Sequence, residues 1–136
     1  MSLAFLFPGQ GSQAVGMGQD LAQAFASARE VFQEVDDALG QPLFKLMSEG
    51  PEGDLTLTEN AQPALMAVSL AVMRVLEKEM GVPVEKAAFV AGHSLGEYSA
   101  LAAVGALSIT DAAKLLRRRG EAMQAAAERA LAGPTP

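Results

Sequence analysis

The chain has 136 residues, half of them hydrophobic and about a fifth charged, with a net charge of −6 and a pI near 4.7. That length and composition fit one globular domain, and the acidic balance argues against nucleic-acid binding, which needs clustered Lys and Arg. There is no cysteine and one histidine, which excludes a disulfide framework and a thiol nucleophile and argues against a zinc site.

Residues 3–7, LAFLF, form a short apolar run ended by Pro8-Gly9, the pattern of a strand buried on both faces. The N-terminus lacks the basic segment of a secretory leader, and no apolar run reaches the roughly 18 residues of a membrane span. A cytoplasmic location is therefore expected. The glycine-rich loop PGQGSQAVGMG follows. Its glycines fit neither G-x-G-x-x-G nor a phosphate loop with Lys-Ser/Thr, which argues against nucleotide binding.

Residues 19–39 carry one helical period through Leu21, Phe25, Ala28, Phe32, Val35 and Leu39, closed by Gly40. A turn of helix is expected around Leu43–Met47, ended by Gly50 and Pro51. The next helix starts at a cap on Thr58 or Asn60, with Pro63 in its first turn and Gly81 at its end. Its centre is apolar on nearly every side, as in a buried helix. Residues 87–91, AAFVA, predict a second buried strand. Residues 95–104 predict a helix, and Ser108 or Thr110 caps a last helix that runs through residue 131. GPTP at the end predicts an unstructured tail. The order strand, helices, strand, helix, helix is that of an α/β fold, helix-rich with a small parallel sheet. Two strands make a poor sheet, so further strands beside them are expected.

Gly92-His93-Ser94-Leu95-Gly96 fits G-x-S-x-G between a predicted strand and a predicted helix. The glycines permit a sharp turn, and the serine projects at a helix N-terminus, where backbone N–H groups favour developing negative charge. Ser94 is the candidate nucleophile, and the Leu95 N–H is a candidate oxyanion donor. The bland alternative is a tight turn in which Ser94 only caps the helix. His93 adjoins Ser94, but successive side chains at a strand end point to opposite faces. The expected role of His93 is packing, with a hydrogen bond to nearby backbone. Glu97 is expected to cap the first turn or face solvent.

FLFPGQGSQAVGMG, ENAQPALMAVSLAV, AGHSLGEYSALAAVGALS and LLRRRGEAMQ occur in that order. Together they resemble the malonyl-CoA:acyl-carrier-protein transacylases of bacterial fatty-acid synthesis, over residues 3 to about 126. The resemblance implies the N-terminal part of a hydrolase-like large subdomain at 1–126, followed by an atypical Ala/Pro-rich tail at 127–136. It implies malonyl transfer from coenzyme A to acyl carrier protein through an acyl-serine at Ser94. The substrates would be malonyl-CoA and phosphopantetheinylated acyl carrier protein, with no metal and no other cofactor. Gln10 would give a second oxyanion N–H beside Leu95. Arg119 would clamp the malonyl carboxylate bidentately, with Arg117 and Arg118 left at the surface. Gln62 would lie near the pocket.

The family is longer. Its ferredoxin-like small subdomain and its catalytic histidine have no counterpart in these motifs, so a truncated member lacking its base is expected. Two alternatives accompany that reading. One is a non-catalytic module that binds acyl carrier protein or a partner chain, or self-associates through exposed apolar surface. The other is a weak serine esterase.

Overall fold

The computed structural model describes residues 2–133. Strand β1 (Ala4–Phe7) and strand β2 (Phe89–Gly92) pair in parallel, with Ala4 opposite Phe89 and Phe7 opposite Gly92. Between them run α1 (Gln19–Ala24), α2 (Ala26–Leu39), α3 (Leu43–Glu49), α4 (Glu52–Thr56), the long α5 (Thr58–Met80) and a single 3-10 turn at Val84–Lys86. After β2 come α6 (Gly96–Ala103) and α7 (Ile109–Leu131).

The core is helical. Val31, Phe32 and Val35 of α2, Met66, Leu70 and Ala71 of α5, Leu95 before α6, and Ala112, Ala113 and Leu116 of α7 form one buried cluster. Helix α5 lies at its centre and, as expected, is buried along much of its length. Phe44 of α3 stacks on Phe32 of α2, ring centroids 4.4 Å apart.

Residues 19–39 are two helices rather than one. Phe25 is extended (φ −133°, ψ 124°), and the Arg29 guanidinium donates to the Ala22 carbonyl left open at the break. Phe25 still packs against the core, which is why the apolar period runs through the break unchanged. Helix α5 begins without a side-chain cap. Thr58 is its first residue, and Asn60 instead donates to the Asp54 carbonyl at 2.8 Å. Pro63 therefore falls in the second turn rather than the first. Gly40 and Gly81 close α2 and α5 in the left-handed conformation (φ 63° and 65°). Ser108 caps α7, accepting from the Asp111 N–H at 3.0 Å. Helix α7 continues through residues 127–131; of the tail, Pro134 to Pro136 lie outside the described residues.

The strands are not buried on both faces. Phe7 is buried, but Leu6 is 77% exposed and Phe89 71%. The helices cover only part of this two-stranded sheet, and no further strand lies beside it among the described residues. No helix among these residues is long and apolar enough to cross a membrane.

Candidate active site

At the end of β2 the chain turns on Ser94, which has φ 57°, the one positive φ outside glycine among the described residues. A serine held there is strained, as at a nucleophile elbow. Both flanking glycines are obligatory by space. A Cβ on Gly92 would lie 2.0 Å from the Gly96 carbonyl carbon, and one on Gly96 would lie 2.3 Å from the Phe7 carbonyl oxygen. The helix start is thus pressed against the ends of both strands.

The first loop closes on the same turn. A Cβ on Gly9 would lie 3.6 Å from Ser94 Cβ, so Gln10 follows directly beside the serine. Gln10 Nε2 donates to Thr58 Oγ1 at 3.3 Å, tying the loop to the start of α5. Among the described residues, nothing accepts from the backbone N–H of Gln10 or of Leu95.

Three helices meet at Ser94. Arg119 on α7 donates through Nη2 to Ser94 Oγ at 3.2 Å and through Nη1 to Gln62 Oε1 on α5 at 2.8 Å. Gln62 is fully buried, and its Nε2 donates to Met123 Sδ at 3.2 Å. The Arg119 guanidinium carbon lies 5.7 Å from the centroid of the Tyr98 ring on α6. The structure therefore brings together Ser94, Arg119, Gln62 and the loop carrying Gln10. Tyr98 and Met123 are not among the candidates read from the sequence, and Thr58 is read there only as a helix cap. Helical spacing could have found Met123, which lies four residues after Arg119, one turn along α7.

What allows α7 to reach α5 is Gly120. A Cβ there would lie 2.6 Å from Glu59 Cα and 2.7 Å from the Thr58 carbonyl oxygen. With Leu116 and Gly120 buried against α5, the roughly 100° step per residue puts Arg117 and Arg119 on either flank of that line and Arg118 on the far side. Arg118 is exposed, as expected. Arg117 is not a surface residue: it donates to Asn60 Oδ1 at 2.8 Å and lies 4.0 Å from Glu59. Its Nε and Nη2 are buried without a partner, and burial pulls its pKa below the ordinary arginine value, against the pull of Glu59 and Glu121. Two arginines two residues apart on α7 thus meet Asn60 and Gln62, also two apart on α5.

His93 is also placed differently from expectation. It is exposed, its ring nitrogen Nδ1 lies beside Gly9, and its side chain makes no hydrogen bond among the described residues. The loop occupies the side on which a packing partner would sit, and Gly9 offers no side chain. Among the described residues, neither His93 nor any carboxylate hydrogen-bonds to Ser94 Oγ. Glu97 is exposed. No group of three metal-ligating side chains occurs among the described residues.

The site is thus an exposed serine in a strained turn with an arginine held at its hydroxyl. The sequence matches the acyl transferase domain family over residues 4–135, and the chain belongs to that family. It is 52% identical over 124 residues to the malonyl CoA-acyl carrier protein transacylase of Bacillus subtilis (strain 168), covering 91% of this chain and 38% of that protein. It superimposes on an acyl-carrier-protein S-malonyltransferase from Bartonella henselae with a TM-score of 0.90 at 63% identity, covering 93% of this chain and 40% of that one. It is also similar, at TM-score 0.86 and 45% identity, to the malonyl-transacylase in a complex with a type II polyketide synthase acyl-carrier protein, covering 93% of this chain and 40% of that one. The chain thus spans about two fifths of the length of these relatives.

Proposed function

We propose that this chain supplies the acyl-accepting part of a malonyl transfer site. The supporting observation is Arg119, fixed by Gln62 and hydrogen-bonded to Ser94 Oγ. Ser94 Oγ attacks the thioester carbon of malonyl-CoA; the C–S bond breaks and coenzyme A leaves as its thiol. The phosphopantetheine thiol of acyl carrier protein then attacks the malonyl-serine ester, returning the proton to Ser94. The N–H groups of Gln10 and Leu95 hold the oxyanion of each tetrahedral intermediate. Arg119 binds the malonyl carboxylate in two parallel hydrogen bonds, which acetyl cannot accept. Gln62 keeps the guanidinium in place. Both thioesters are substrates, and the reaction uses no further cofactor. The cytoplasmic setting expected from the sequence belongs to the same reading.

With no base hydrogen-bonded to Ser94 among the described residues, acylation is expected to be slower than in a complete triad by several orders of magnitude, while binding and oxyanion effects persist. Intact-mass measurement after incubation with malonyl-CoA should show slow gain of one malonyl group, mapped to Ser94. Ser94→Ala should show none, and Arg119→Ala should lose the preference for malonyl-CoA over acetyl-CoA. Absence of a Ser94 adduct at long incubation would overturn the proposal.

A second reading is favoured by Leu6 and Phe89, exposed on the same face of the two-stranded sheet, and by Leu101 and Val104, exposed on α6 and at its end. Such apolar surface and an open strand edge suit association with a second copy of the chain. Sedimentation at increasing concentration should show dimers that weaken in a Leu6→Ser, Phe89→Ser double variant. A wild-type monomer at every concentration counts against it.

A further inference from the structure

We infer that Tyr98 is a positioning residue for Arg119 and so sets the preference for a carboxylate-bearing acyl group; the inference rests on the malonyl reading above. Arg119 has five N–H donors and a long, flexible stem, so its hydrogen bonds to Ser94 and Gln62 do not by themselves fix the plane of the guanidinium. The third contact does. The guanidinium carbon is 5.7 Å from the Tyr98 ring centroid, within the range of a cation–π contact. Tyr98 is itself anchored: it sits in the first turn of α6, directly after the Ser94 turn, and packs against the helical core.

The arrangement has a chemical consequence. When a carboxylate displaces Ser94 as the acceptor, Arg119 loses one of its two protein hydrogen bonds and turns on its stem. The Tyr98 face and Gln62 then remain to hold the guanidinium at the distance and angle a bidentate carboxylate needs. An acyl group without a carboxylate makes no use of that alignment. Tyr98 therefore acts on malonyl and not on acetyl, without touching either. The Tyr98 hydroxyl makes no hydrogen bond among the described residues, so the ring face is the part that matters.

The test is equilibrium binding of malonyl-CoA and acetyl-CoA to the 136-residue chain by calorimetry, with Tyr98→Phe, Tyr98→Leu and Arg119→Ala as variants. Leu keeps the apolar bulk facing the core and removes the ring. Tyr98→Leu should weaken malonyl-CoA by about three- to five-fold and leave acetyl-CoA unchanged, and Tyr98→Phe should restore the wild-type preference. If the wild type prefers malonyl-CoA, Arg119→Ala abolishes that preference, and Tyr98→Leu keeps it, this inference alone falls. Equal weakening of both ligands in Tyr98→Leu also overturns it, because that is the signature of a packing residue. If the wild type shows no preference, or Arg119→Ala keeps one, the malonyl reading falls and this inference with it.

Discussion

The helical side of the molecule and its sheet side obey different rules. Around α2, α5 and α7 the apolar side chains that face the core are buried, and Asn60, Gln62 and Asp36 among the polar ones have hydrogen bonds, while Ser27 Oγ and two nitrogens of Arg117 are buried without a partner. At the sheet, Leu6 and Phe89 stand in the open, and the tightest contacts are between backbone atoms, at Gly92 and Gly96. The helical side is held mainly by side-chain packing, with one close backbone approach at Gly120, and the sheet side by close backbone approach. The chemistry sits where the two meet, with Ser94 contributed by the turn and Arg119 by the packed helices.

That comparison is broken most forcefully at Leu116. Its side chain is fully buried between α5 and α7, so Leu116→Ala should cost about 2–5 kcal/mol in urea unfolding. Leu6→Ala removes the same atoms from an exposed strand position and should cost under about 0.5 kcal/mol. Comparable losses at the two sites would mean that the sheet face is covered in solution.

The glycines sharpen the contrast, with smaller effects on stability. Gly120→Ala forces α7 from α5 and should cost about 1–3 kcal/mol, moving Arg119 away from Gln62 as it does so. Gly96→Ala pushes the start of α6 off the Phe7 carbonyl. Its effect should be local: a smaller loss of global stability, with Ser94 labelling by malonyl-CoA reduced at least as much as in Gly120→Ala. The two measurements to compare are the unfolding midpoint and the labelling rate. A Gly96→Ala chain that labels at the wild-type rate would show that the turn tolerates displacement.

The same division explains what the sequence could reveal. Patterns written in local chemistry were readable: the strand–turn–helix around Ser94, the glycine ends of α2 and α5, the Ser108 cap and the buried centre of α5. The motif resemblance added the membership itself and the pairing of Ser94 with Arg119. What could not be read depended on contacts between distant segments. Phe25 keeps the helical period while breaking the helix, because its side chain serves the core whichever backbone conformation carries it. Arg117 looked like a surface charge because nothing in RRRG says that Gly120 lets α7 touch α5, bringing Asn60 within reach. The strands looked buried because an apolar run states what a strand could bury, not what covers it. His93 looked like a packing residue for the same reason: its would-be partner is a glycine.

The smallest expected effect tests the helical side from within. Asp36 on α2 accepts from the Phe44 N–H at 3.0 Å, supplying the polar partner at the start of α3 that Pro42 lacks. Burial raises its pKa above the ordinary value of 3.8, and the Asp37 charge adds to this, while the backbone N–H groups of Phe44 and Leu43 pull the other way. The folded chain therefore holds this proton more tightly than the unfolded chain. Its stabilising contribution is full below pH 3.8 and is lost as pH rises through the raised folded value. Asp36→Asn keeps an oxygen acceptor for the Phe44 N–H and removes the titration. Compared with wild type by urea unfolding, the variant should gain relative stability as pH climbs through that window, and the difference should be constant above it. A difference that does not change with pH would show that the Phe44 and Leu43 amides offset the burial of the charge, and that this edge of the packed side is as well solvated as the sheet.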